Sequence, residues 1–168
     1  MPSAVVGAPA NLRTLLAHRP ELAEAFHRLY ATMWTEGIVP QSLKETARMR
    51  NARVTDCGFC KNVRFDGALA DGLDESQVEQ IADGYESSTL SADQKLVLRF
   101  TDRFLVDAGR PDDALLADMR ARFSPAEIVE LTMALALFLG MSKVLVSLGV
   151  EPEEMDRTVL PTPALVGR

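Results

Sequence analysis

Cys57 and Cys60 are the only thiols in a chain of 168 residues, and they stand two residues apart in Thr55-Asp-Cys-Gly-Phe-Cys-Lys61. Thiols at this spacing can close a small disulfide ring and open it again by exchange. Where such a pair begins a helix, the free backbone N–H groups and the helix dipole favour thiolate over thiol, and the thiolate is the nucleophile. Asp56 or Thr55 supplies an N-cap that places both cysteines in a first turn. Arg64, four residues beyond Cys60, then falls on the same helix face, where a fixed positive charge favours the thiolate further. Twelve positions ahead of Cys57 stands a carboxylate, Glu45.

The elements that must hold these groups read as helices. From Cys60, the residues Val63, Arg64, Gly67 and Ala68 continue at helical spacing, and Gly72 supplies a stop. Ahead of the cysteines, Ser42 and Glu45 have the spacing of a capping box, which predicts a helix from about residue 43 to 54. On this reading Glu45 is a capping partner and needs no further role. Asn11 opens a short helix through Leu12, Leu15 and Leu16, and Pro20 suits the first turn of a helix carrying Leu22, Phe26, Leu29, Tyr30 and Met33. Asp74 with Gln77, Ser91 with Gln94, and Ser124-Pro125 with Glu127 mark three more starts. No stretch alternates like a strand. The expected fold is all-α, a single-domain bundle of about seven helices over residues 11–150, with a flexible arm at 1–10 and a C-terminal tail at 151–168.

Composition narrows the function. A net charge of −6 with no basic run argues against nucleic acid as a partner. Leu131 to Val150 is nearly continuous apolar sequence, but Lys143 lies inside it, Glu127 and Glu130 precede it, and Glu151, Glu153 and Glu154 follow. That favours a core or inter-subunit helix over a membrane span. The N-terminus lacks the basic and apolar regions of a signal peptide, so the expected location is cytoplasmic, where thiols are kept reduced. Zinc needs four ligands, and besides the cysteines only His18 and His27 are present, away from any ligand spacing, so no metal or cofactor is expected. A thioredoxin-type motif follows a strand in a βαβ pattern, which is missing here.

A carboxylate, eleven residues, Cys57-x-x-Cys60, three residues and a side chain able to reach sulfur resembles the signature of the alkylhydroperoxidase D-like (AhpD-like) branch of the carboxymuconolactone decarboxylase superfamily. The lead-in Leu43-Lys-Glu-Thr-Ala-Arg-Met-Arg-Asn-Ala52, the small residues after Cys60 and Gly72-Leu-Asp-Glu75 agree with it. The resemblance implies an all-α fold, a trimer or hexamer, and peroxide reduction by the cysteine pair. It implies that Cys60 attacks the O–O bond, that Cys57 condenses with the resulting sulfenic acid, and that an external dithiol, thioredoxin-like or lipoyl, reopens the disulfide. One position departs: the family's usual histidine after the second cysteine is Arg64, which stays protonated and supplies only charge and hydrogen bonds. Proton transfer would then fall to Glu45.

Other readings stay open at this point. Either cysteine could attack, since both sit within one turn. Arg64 could pair with Glu45 or Asp66 on a solvated face. The chain could be a lactone decarboxylase of the same superfamily, although those enzymes do not need the cysteine pair, or a non-enzymatic oligomeric redox sensor.

Overall fold

Four helix starts are fixed by reciprocal capping boxes: Asn11 with Thr14, Asp74 with Gln77, Ser91 with Gln94, and Ser124 with Glu127. In each, the cap side chain accepts the N–H three residues on and the third residue's side chain accepts the cap N–H, so two otherwise unpaired donors are satisfied at once. The computed structural model describes residues 1–107, 109–152 and 154–165. Glu153 and the last three residues of the expected tail lie outside the described residues. Among those described, the helices are α1 (Leu12–Leu16), α2 (Pro20–Thr35), α3 (Gln41–Val54), α4 (Gly58–Asn62), α5 (Asp66–Ala70), α6 (Glu75–Gln80), α7 (Ala92–Val106), α8 (Asp113–Arg122) and α9 (Pro125–Leu148). The chain is mostly helical, as its periodicity predicts.

Two corrections to the sequence reading concern the segment around the cysteines. The expected continuous helix from Cys57 towards Gly72 breaks after Asn62 into a short strand, β1 (Val63–Phe65), before α5 begins. A second strand, β2 (Thr158–Leu160), runs parallel to it with Val63 opposite Thr158 and Phe65 opposite Leu160. Val, Arg and Phe tolerate either conformation, and the ladder to β2 satisfies their backbone groups in the extended one. The Ser42–Glu45 capping box does not form either. α3 starts earlier, with Pro40 at the cap position, the Ser42 N–H donates to Asp71 at 2.9 Å, and Glu45 is completely buried.

α3 is the axis of the fold, packed against α4, α5, α7 and α9. Every residue from 43 to 52 in it is buried, although that run contains Lys44, Glu45, Arg48, Arg50 and Asn51. Buried polar groups are tolerable only when bonded, and here Lys44, Arg48, Arg50 and Asn51 tie α3 to other elements while Glu45 is bound within the helix by Arg48. Lys44 Nζ donates to the Met33 carbonyl at 2.6 Å and to Glu130 at 3.0 Å, joining the end of α2 to α9. Glu130 in turn accepts the Ile38 N–H at 2.7 Å. The chain passes so close over this pair that a Cβ at Gly37 would overlap both the Glu130 carboxylate and the Lys44 ammonium. Arg50 binds Asp102 of α7 at 2.5 and 3.1 Å, and Arg53 donates to the Val78 carbonyl of α6 at 2.8 Å.

Among the described residues the apolar core forms three clusters, two of which include residues of this axis. Trp34, Leu43, Phe65, Phe100, Leu135 and Phe138 belong to the largest cluster, Met49, Leu73, Ile81 and Leu98 to a second, and Leu15, Cys57, Leu145 and Val150 to a third. α9 is, among the described residues, a helix long and apolar enough to cross a membrane by length and composition. In the fold it buries Leu131, Leu135, Phe138 and Leu145, whereas Val129, Met133 and Val146 face outward. Gly149 ends it in the left-handed conformation (φ 60°) that a residue without Cβ adopts at no cost.

Candidate active site

The link from α3 to α4 turns sharply at Asp56, whose φ of 52° is in the left-handed region that Asp tolerates better than most residues. Cys57 follows as the N-cap of α4 itself, in place of the expected Asp56 or Thr55, and its sulfur accepts the Cys60 N–H at 3.3 Å. Cys57 and Cys60 are joined as a disulfide, with their Cα atoms 5.2 Å apart. α4 has five residues, so few peptide dipoles align behind the cysteines and the helix-start contribution to thiolate stability is small.

The two sulfurs have different surroundings. Cys57 is fully buried among Leu15, Leu145 and Val150. Cys60 is half-buried and lines a largely apolar cavity of about 180 Å³, together with Tyr30, Phe59, Phe65, Phe138 and Met141. The polar groups on that lining come from other elements: Arg48 and Asn51 of α3 and Ser142 of α9. Ser142 Oγ stands 3.4 Å from Cys60 Sγ, and Asn51 Nδ2 donates to the same Oγ at 2.9 Å.

Arg64, expected on the Cys60 helix face, sits on β1 instead. Its guanidinium binds Glu75 at 2.8 and 3.2 Å and donates to the carbonyls of Lys61 and Val63 at 2.7 and 2.8 Å. The strand conformation turns the side chain towards α6, away from the geometry a helix would have imposed. The guanidinium on the cavity lining is that of Arg48. It donates to the Cys60 carbonyl at 2.9 Å and the Val63 carbonyl at 2.6 Å, and it lies over the Phe65 ring at 5.2 Å. Burial works against its charge, but the adjacent Glu45 carboxylate more than offsets this and holds Arg48 above the ordinary arginine value.

Glu45 is one turn before Arg48 and is bound by it through two hydrogen bonds, at 2.7 and 2.6 Å. Beside this pair the Tyr30 phenol is pushed up to about 12, chiefly by burial, with Arg48 acting against the shift and Glu45 adding to it. Of the four candidates from sequence, the structure brings Cys57 and Cys60 together, reaches Glu45 through Arg48, and turns Arg64 to Glu75. Arg48, Asn51 and Ser142 were missed. The spacing of Glu45, Arg48 and Asn51 at every third residue was a usable signal for one face of α3. Ser142 carried none, since its partner is brought to it only by folding. Among the described residues, no group of three or more His, Cys, Asp or Glu is placed to share a metal ion.

No family model matches the chain. Two uncharacterized proteins of Mycobacterium tuberculosis are each 32% identical to it over 113 residues, which is 67% of this chain and 39% of theirs. The chain thus spans about two-fifths of the length of the curated relatives it matches. Among solved structures, a protein of unknown function from Agrobacterium tumefaciens, put forward as an antioxidant defence protein AhpD, superposes with a TM-score of 0.69 at 22% identity, covering 83% of this chain and 97% of that one. An uncharacterized peroxidase-related protein from Silicibacter sp. superposes equally well, with a TM-score of 0.69 at 18% identity, covering 88% of this chain and 78% of that one. The fold of this chain is therefore AhpD-like, with the Cys57–Cys60 pair set at the edge of an apolar cavity within it.

Proposed function

We propose that the chain is a thiol-dependent peroxidase that reduces organic hydroperoxides at Cys60. The observation that carries this reading is the asymmetry of the pair: Cys60 faces an apolar cavity and Cys57 is sealed behind it at bonding distance. The Cys60 thiolate attacks the outer oxygen of ROOH, the O–O bond breaks, and the leaving alkoxide takes a proton to give ROH and a Cys60 sulfenic acid. The Cys57 thiol then displaces hydroxide from that sulfur, which leaves as water with the thiol proton, and the disulfide forms. An external dithiol supplies two electrons and two protons to reopen it. The apolar lining suits an alkyl or aryl group on the peroxide better than hydrogen peroxide itself. Two expectations from sequence belong to this proposal: a cytoplasmic setting, which supplies reduced dithiols, and association of copies of the chain through α9.

A second reading, a redox sensor that oxidises once without cycling, is favoured by one observation. Glu45 is already doubly bonded to Arg48, so its use as a proton carrier requires breaking a buried ion pair. Consumption of cumene hydroperoxide with dithiothreitol or dihydrolipoamide separates the two. The peroxidase gives many turnovers per chain and loses them in Cys60→Ser. One equivalent of peroxide consumed, or turnover unaffected by Cys60→Ser, would end the peroxidase reading.

A further inference from the structure

Ser142 and Asn51 are both about 1% exposed and lie on different helices, and they form a chain of two contacts that ends on one sulfur, Asn51 to Ser142 and Ser142 to Cys60. In the disulfide, Cys60 Sγ has no hydrogen, so the contact from Ser142 Oγ at 3.4 Å has the hydroxyl as its donor. With that proton aimed at sulfur, Oγ presents lone pairs to Asn51, and the Asn51 amide nitrogen at 2.9 Å donates to one of them. The direction of both bonds follows.

A serine inside a helix has an easier use for its hydroxyl, donation to the carbonyl four residues back, as the Thr132 hydroxyl of the same helix donates to the Ile128 carbonyl at 2.7 Å. Ser142 turns to Cys60 instead. Asn51, for its part, is poorly explained as a core amide, because its buried Oδ1 has no hydrogen-bond partner. Leaving such an acceptor unpaired is destabilising.

Resting on the peroxidase reading for its purpose but not for its test, we infer that Ser142 is a catalytic residue, its O–H donating to the Cys60 thiolate in the reduced protein, and that Asn51 is the positioning residue that orients that hydroxyl. A hydrogen bond to the charged form favours it, and in a largely apolar cavity few other donors compete for the sulfur. Arg64, turned to Glu75, does not fill this role.

The test uses the full chain carrying Cys57→Ser, so that Cys60 is the one remaining thiol, and reads its alkylation by iodoacetamide between pH 5 and 10. Adding Ser142→Ala should move the midpoint of the rate profile upward and slow alkylation at pH 7 by about tenfold, the size expected for losing one hydrogen bond to a charged group. Ser142→Thr, which keeps the hydroxyl, should restore most of the rate. Asn51→Ala should shift the midpoint in the same direction by less, and it serves as the second variant if Ser142→Ala folds poorly. Unchanged profiles in Ser142→Ala, or in Asn51→Ala where the serine variant does not fold, overturn the inference, as does a Ser142→Thr profile that matches Ser142→Ala. A parent protein that alkylates as expected but does not react with cumene hydroperoxide removes the peroxidase reading and leaves the Ser142 bond standing.

Discussion

Arg48 holds Glu45 in a two-pronged ion pair one helical turn apart, with Glu45 at 0% exposure and Arg48 at 5%. The same guanidinium also fixes the carbonyls of Cys60 and Val63, so one side chain joins α3 to the cysteine turn and to β1. Breaking such a pair from one side leaves a buried charge unpaired. Arg48→Met should therefore cost about 3–5 kcal/mol of unfolding free energy, while Arg48→Met with Glu45→Gln should recover a substantial part. Urea unfolding followed by circular dichroism measures both, and a double variant no more stable than the single one would contradict the assignment.

Arg64 gives the complementary expectation. Because its guanidinium binds Glu75 and two carbonyls, Arg64→Gln should lower stability by about 1–3 kcal/mol. Its effect on the iodoacetamide profile of Cys60 should be within error. A pronounced slowing of alkylation would return Arg64 to the sulfur.

The C-terminal strap provides a pH dependence. Asp66 accepts the Thr162 hydroxyl at 2.7 Å and the Thr162 N–H at 2.8 Å, and these two bonds hold its carboxyl below the ordinary aspartate value. A depressed folded-state value means that the contribution is present above the unfolded value, near pH 4, and is lost as pH falls through the folded one. Protection of the 158–162 segment from proteolysis should accordingly weaken below about pH 4, and Asp66→Asn should weaken it already at pH 7. Identical cleavage of the parent at pH 3 and pH 7 would count against it.

At the alkaline end both tyrosines are raised, Tyr30 to about 12 and Tyr85 above its ordinary value, chiefly by burial in each case and at Tyr85 with the neighbouring Asp102 carboxylate adding to the shift. A raised folded-state value contributes stability that is complete below the unfolded value, about pH 10, and lost as pH climbs through the folded one. Phenolate absorbance should stay low in the native protein until stability itself declines above about pH 10. Titration of one full tyrosine at pH 10 with native circular dichroism retained would be the contrary result.

α9 leaves Val129 63% and Met133 48% exposed on its outer face, which is costly for a chain alone in water. Sedimentation should give a mass above the 18.4 kDa of one chain, and Met133→Glu should reduce it towards that value. A monomer at micromolar concentration would refute the association.

What could be read in the sequence was what is local. The cap at Asn11 and the capping boxes at Asp74, Ser91 and Ser124 involve groups three residues apart, so their outcome depends on little else, and all formed, Asn11 with Thr14 as a further box that the sequence reading did not include. The CxxC spacing likewise set Cys57 and Cys60 within bonding reach before any tertiary contact. What the tertiary structure decided was every choice between two locally acceptable states. Ser42 and Glu45 satisfied the capping rule on paper, but burial against Arg48 claimed the carboxylate. Val63 to Phe65 fitted a helix until β2, from the far end of the chain, offered a ladder and carried Arg64 away from the sulfur to Glu75. Asn51 and Ser142 meet because α3 and α9 pack together, and no periodicity within either helix encodes that meeting. Contacts within a turn are specified by spacing alone, whereas contacts between distant segments depend on which of many pairings buries the most apolar surface with the fewest unpaired polar groups.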